Sequence, residues 1–157
     1  MPWATWAWAS ETHQVSEKEV ANFLALSERL TGRESLDAKI AGRAYRVLME
    51  AGEDFPARQR QLAQAMEQAG LTDMRKFKAF AAAQDQTVVD TAMAIISAWY
   101  LGYTGTPQGH SATDDTRFVT YTGALMFEPT IDATVIPTYS RGRTNYWHTP
   151  PDTLATD

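Results

Sequence analysis

The chain has 157 residues, 44% of them hydrophobic, and a formal net charge of −5, with fourteen Lys and Arg set among nineteen Asp and Glu. That length predicts one domain with a single core, and the apolar fraction excludes a disordered chain. Bases scattered among a surplus of acids argue against nucleic acid and against anionic lipid as partners, and no apolar run reaches the ~20 residues of a membrane-spanning helix.

In chain order, Met1 to Ala9 lacks the basic and apolar regions of a secretory signal. The small-x-small spacing of Ala7-Trp8-Ala9 reads as chance. Residues 1–15 are taken as a tryptophan-containing N-terminal arm. A targeting segment is expected either upstream of the given sequence or on a companion protein. With no cysteine anywhere, the chain can build neither disulfides nor thiolate zinc sites.

Ser16-Glu17-Lys18-Glu19 is a capping box that starts a helix carrying Val20, Phe23, Leu24, Ser27 and Leu30 on one stripe, and Gly32 supplies its left-handed stop. Ser35 can cap a second helix with Leu36, Ile40, Ala44, Val47 and Leu48 inward, ending near Gly52. Asp54-Phe55-Pro56 restarts the chain, since proline is tolerated in a first helical turn, and a third helix runs to about Ala69 before Gly70. Thr72 or Asp73 caps a short fourth helix with Met74, Phe77 and Phe80. The fifth, from about Thr87 to Leu101, is apolar around much of its circumference and is expected to be central, closing at Gly102.

Tyr103 to Thr116 has no apolar period and reads as a loop. Phe118 to Phe127 reads as a last helix stopped at Glu128-Pro129, with its Val and Thr residues leaving a strand open as the alternative. From Thr130 onward Pro137, Gly142, Pro150 and Pro151 forbid regular helix, yet Val135, Ile136, Tyr139, Tyr146 and Trp147 are core-type residues. The expected organisation is an all-α fold: a single compact helical domain of five to six helices over residues 16–129. An extended, proline-containing C-terminal tail over 130–157 would lie across a partner.

No residue set points to catalysis. His13, His110 and His148 lack a second ligand at metal-binding spacing. Gly102-Tyr103-Thr104-Gly105-Thr106 has neither a preceding strand nor a following Gly-Lys-Ser/Thr and reads as a helix stop and turn, and no dinucleotide fingerprint occurs. Glu53 with Asp54, and Asp114 with Asp115, read as solvated acids rather than an acid–base pair. Arg141 and Arg143 flank Gly142 and read as a solvated turn ahead of an anion grip. Catalytic, cofactor-binding and metal residues are therefore expected to be absent. The residues taken forward as a partner interface are Trp99, Tyr100, Tyr121, Met126, Tyr139, Arg141, Tyr146 and Trp147, amphipathic or long side chains of the kind that anchor interfaces. For Trp99 the core reading comes first.

The segments Phe23-Leu24-Ala25-Leu26-Ser27 through Leu30-Thr31-Gly32 and Leu36-Asp37, Ala98-Trp99-Tyr100-Leu101-Gly102, Tyr121 with Ala124-Leu125-Met126, Pro137-Thr138-Tyr139 and Tyr146-Trp147-His148-Thr149-Pro150 occur in that order. In this the chain resembles the small subunit of membrane-associated FAD-dependent D-sorbitol dehydrogenases, related to small subunits of fructose, glucose and 2-ketogluconate dehydrogenases. The resemblance implies a non-catalytic subunit of an enzyme that oxidises a sugar or polyol. FAD would sit in a large subunit of the glucose-methanol-choline type, and haem c in a possible third, multihaem cytochrome subunit. It further implies a stabilising and escorting role toward the periplasm, with attachment to the inner membrane through the complex. Ser140 stands where many members have a cysteine after the Pro-x-Tyr motif, so no covalent link to the large subunit is expected. No twin-arginine signal occurs in the sequence as given, so the escort role is implied by resemblance alone. The alternative is a free-standing helical ligand-binding module, which needs a closed apolar pocket.

Overall fold

The computed structural model describes residues 16–109 and 113–137. Helix α1 spans Glu17–Thr31 and begins as its sequence dictates. The Ser16 hydroxyl accepts the Glu19 N–H at 3.2 Å, and the Glu19 carboxylate accepts the Ser16 N–H at 3.0 Å and its hydroxyl at 2.8 Å. Gly32, at φ 63°, closes the helix in the left-handed conformation. The buried face is Phe23, Leu26, Ser27 and Leu30.

Helix α2 spans Ala38–Ala51, and its cap is Asp37, not Ser35. One Asp37 carboxylate oxygen accepts the Lys39 and Ile40 N–H groups at 2.6 and 3.1 Å. Two donors on one charged acceptor outweigh what a hydroxyl two residues upstream can offer. Ser35 instead turns the chain at φ 62°, and Leu36 lies before the helix. Ile40, Ala41, Ala44, Tyr45 and Leu48 face inward. Helix α3, Phe55–Gln68, carries Pro56 in its first turn and buries Phe55, Gln59, Leu62 and Met66. A 3-10 turn at Met74–Lys76, capped by Asp73 through the Arg75 N–H, leads into the short helix α4, Phe77–Ala82.

Helix α5, Gln86–Leu101, packs against α1, α2 and α3 and ends at Gly102, φ 76°. Its Val88, Ala92, Ile95, Ala98 and Trp99 are buried, which makes it the central helix, as its composition predicts. Phe23, Tyr45 and Phe55 meet edge to face, with ring centroids 5.5 to 6.1 Å apart, and so join α1, α2 and α3 at one point. Each such ring contributes roughly 1.5–3 kcal/mol by burial, with about 0.5–1.5 kcal/mol more from each favourable aromatic pair.

After α5 the chain departs from helix. The loop that follows is closed at its ends by a two-residue antiparallel pairing of β1, Tyr103–Thr104, with β2, Arg117–Phe118, which sets Tyr103 opposite Phe118. The helix expected over Phe118–Phe127 does not form. The Gly102 carbonyl accepts the N–H groups of Val119 and Thr120, both at 2.9 Å, and this takes those donors away from a helical ladder. Gly123 and the β-branched Val119, Thr120 and Thr122 oppose helix as well. What forms is a 3-10 helix at Leu125–Thr130 that contains Pro129, so Glu128-Pro129 is not the stop expected of it. The Thr130 carbonyl then accepts from Ala133 and Thr134, which makes one turn at the start of the tail. The described residues form one all-α domain whose core lies between α1, α2, α3 and α5.

Candidate partner interface

The expected interface residues fall into three groups. Trp99 is 1% exposed and packs in the core on the buried face of α5, in keeping with the core reading that comes first for it. Tyr100 is half-buried against the same core. Tyr121 and Met126 are 43% and 44% exposed. Tyr139, Arg141, Tyr146 and Trp147 lie outside the described residues, as do His13, His110, His148, Arg143 and the N-terminal arm.

Tyr121 and Met126 belong to a larger set. Among the described residues the large apolar side chains that remain exposed are Met93, Leu101, Phe118, Tyr121, Met126, Ile131 and Val135, and all but Met93 come from the segment 101–135. The set is ordered: the Tyr121 ring meets Phe127 edge to face at 5.6 Å, and the Tyr121 hydroxyl donates to the Pro137 carbonyl. Phe118, Ile131 and Val135 are each at least 60% exposed. Val135 is one of the core-type tail residues expected from the sequence, Phe118 is expected there only as the start of a helix, and nothing in the sequence pattern singles out Ile131. Scattered exposed apolars are ordinary on a monomer, but here six of the seven fall in the stretch from the last residue of α5 to Val135.

Next to this segment lies a groove of about 620 Å³ between the α1–α2 loop and the 3-10 helix. Leu36, Ile40, Trp99 and Leu125 form its apolar part, and Arg33, Glu34, Asp37 and Glu128 its charged part. Arg33 and Glu128 pair across it at 2.7 Å, both nearly half exposed. The Trp99 indole N–H, buried with its ring, has no hydrogen-bond acceptor among the described residues.

The acids considered for catalysis have other duties. Asp54 pairs with Arg58 at 3.1 Å, one turn on. Asp114 accepts the Thr116 hydroxyl, the Thr116 N–H at 3.0 Å and the Gln108 N–H at 3.4 Å, while Asp115 accepts the Thr106 N–H at 2.8 Å. The Thr116 hydroxyl, then its N–H, hold the Asp114 carboxyl below its ordinary range, which suits a loop tie and opposes a general acid. Gly102–Thr106 follows the carbonyl-bearing end of α5, where a pyrophosphate would meet the wrong end of the helix dipole, so this turn does not fit the phosphates of FAD. Among the described residues no three potential ligands gather to hold a metal, and no helix is long and apolar enough to cross a membrane.

Fold and surface together define a small all-α domain whose chain from the end of α5 to Val135 is rich in exposed apolar side chains. Comparison with known families places it further: residues 1–151 match the family described as membrane-bound FAD-containing D-sorbitol dehydrogenase, and the chain belongs to that family. No curated protein matches the sequence.

Proposed function

We propose that the chain is the non-catalytic small subunit of an FAD-dependent sugar or polyol dehydrogenase. In this reading it stabilises a large subunit of the glucose-methanol-choline type, which holds the FAD, and escorts it to the periplasm. A multihaem cytochrome c would carry electrons onward, and the complex would hold the chain at the inner membrane. The observation that carries the reading is the concentration of exposed apolar side chains between Leu101 and Val135. A subunit that binds the folded flavoprotein and not its unfolded chain stabilises it by mass action. Standard interfaces bury on the order of 1,600 Å², and the tail residues Tyr139, Arg141, Tyr146 and Trp147 would extend this surface beside Tyr100, Tyr121 and Met126.

The groove beside Trp99 does not favour the ligand-module alternative, because it is open and carries four charged residues where a closed apolar pocket is required. The test is co-expression with an FAD-containing large subunit of the glucose-methanol-choline type. The complex should show a flavin spectrum and reduce dye with a sugar or polyol, and the isolated chain should do neither. Dye reduction by the purified single chain would end the proposal.

A further inference from the structure

We infer that the groove between the α1–α2 loop and the 3-10 helix Leu125–Thr130 receives a segment of the FAD-containing subunit that inserts a Lys or Arg side chain there; this rests on the subunit reading above.

The anatomy is that of an interface pocket, with an apolar floor and a charged rim. Ile40 and Leu125 can take the methylene stem of a long basic side chain, and the rim carries three carboxylates, Glu34, Asp37 and Glu128, against the one guanidinium of Arg33. The surplus of negative charge selects a cation. Asp37 is already committed to capping α2, so Glu34 and Glu128 are the acids free to respond. Among the described residues Glu128 pairs with Arg33, in a pair exposed enough that exchanging one cation for another costs little.

Two further observations bear on the groove. Trp99 lines it, and its buried indole N–H has no acceptor among the described residues, a state that native proteins rarely leave uncorrected. The wall of the groove is also continuous with the exposed apolar segment, since the 3-10 helix turns Leu125 and Glu128 toward the groove and leaves Met126 exposed. A partner lying on Tyr121 and Met126 is thereby brought to the groove's edge. An occupied groove of this kind is neither a flavin site nor a sugar site, but a specificity contact that fixes how the flavoprotein docks.

The experiment uses the co-expressed complex. Affinity between the subunits is measured for the wild-type chain and for the double variant Glu34→Lys with Glu128→Lys, whose folding is checked by circular dichroism; both positions are exposed. Hydrogen exchange of residues 32–40 and 123–128 is followed in the free chain and in the complex. The expectation is at least a tenfold loss of affinity in the double variant, and slower exchange of both stretches on complex formation. If the wild type binds and the double variant binds equally tightly, the inference is wrong while the subunit reading stands. Unchanged exchange in the complex, including protection already complete in the free chain because its own sequence fills the groove, overturns it too. Failure of the wild type to associate at all overturns both.

Discussion

Gly102 and Thr120 approach so closely that a β-carbon on Gly102 would lie 2.0 Å from the Thr120 carbonyl oxygen, while the Thr120 N–H donates to the Gly102 carbonyl at 2.9 Å. Only glycine satisfies both the approach and the φ of 76°. The stop of α5 and the return of the chain after its loop are thus one event at one residue.

Gly102→Ala should therefore destabilise the domain by at least about 2 kcal/mol, combining the left-handed backbone penalty of roughly 1–2 kcal/mol with the displacement of Thr120. Thermal melts followed by circular dichroism measure this. Gly70, also at positive φ but with open space around a β-carbon, is the control, and Gly70→Ala should cost clearly less.

The capping box makes the stability of α1 depend on acid. The Ser16 N–H, then the Ser16 hydroxyl, hold the Glu19 carboxyl below its ordinary value of 4.5. A carboxyl with a lowered pKa in the folded state stabilises at neutral pH, and that contribution is lost as pH falls from about 4.5 through the folded-state value. Glu19→Gln should flatten this part of the stability profile below pH 5, and Ser16→Ala should cost about 1 kcal/mol at pH 7. Denaturant titrations at a series of pH values read both.

At the junction of three helices, Phe55→Ala should cost roughly 3–5 kcal/mol, because it removes a buried ring from contact with both Phe23 and Tyr45. The midpoint of urea unfolding measures the loss. Phe55→Leu, which keeps most of the volume, should cost much less.

On the outer surface, Tyr121→Ala with Met126→Ala should leave the circular dichroism of the chain unchanged while weakening association with the flavoprotein by at least about 2 kcal/mol. The tail pair Tyr139→Ala with Trp147→Ala is expected to act the same way. A loss of helicity in either double variant would mean that these side chains serve this chain's own core. Separation from the partner on electrophoresis should need no reductant, since the chain has no thiol.

Local chemistry was readable in the sequence where the partners of a residue lie within one turn. Ser16 with Glu19, Gly32, Pro56, Asp73 and Gly102 all occupy the roles their types and spacing assign. Ser35 and Asp37 compete for one cap, and only the geometry of the loop decides for Asp37. The α2 stripe expected from the spacing leaves out Tyr45 and Ala41, and both are buried. Residues 118–127 form no α-helix because the partner of Val119 and Thr120 is Gly102, on the far side of a loop, and no periodicity carries that information. The groove was illegible for the same reason: Arg33 and Glu128 stand far apart in sequence and meet only when the 3-10 helix, packed on α5, comes up to the α1–α2 loop.

The clasp formed by β1 with β2 and by Gly102 with Val119 and Thr120 has a consequence for tolerance to change. The loop ends at Thr104 and Arg117 form a closed neck, tied again by Asp115 to Thr106, so the core senses the neck and not the length of the chain beyond it. Doubling such a loop costs only about 0.6 kcal/mol in closure entropy. A peptide tag inserted after the exposed Gln108 would therefore ride on the domain as an outboard handle, leaving the helices, the groove and the apolar segment beyond β2 as they are.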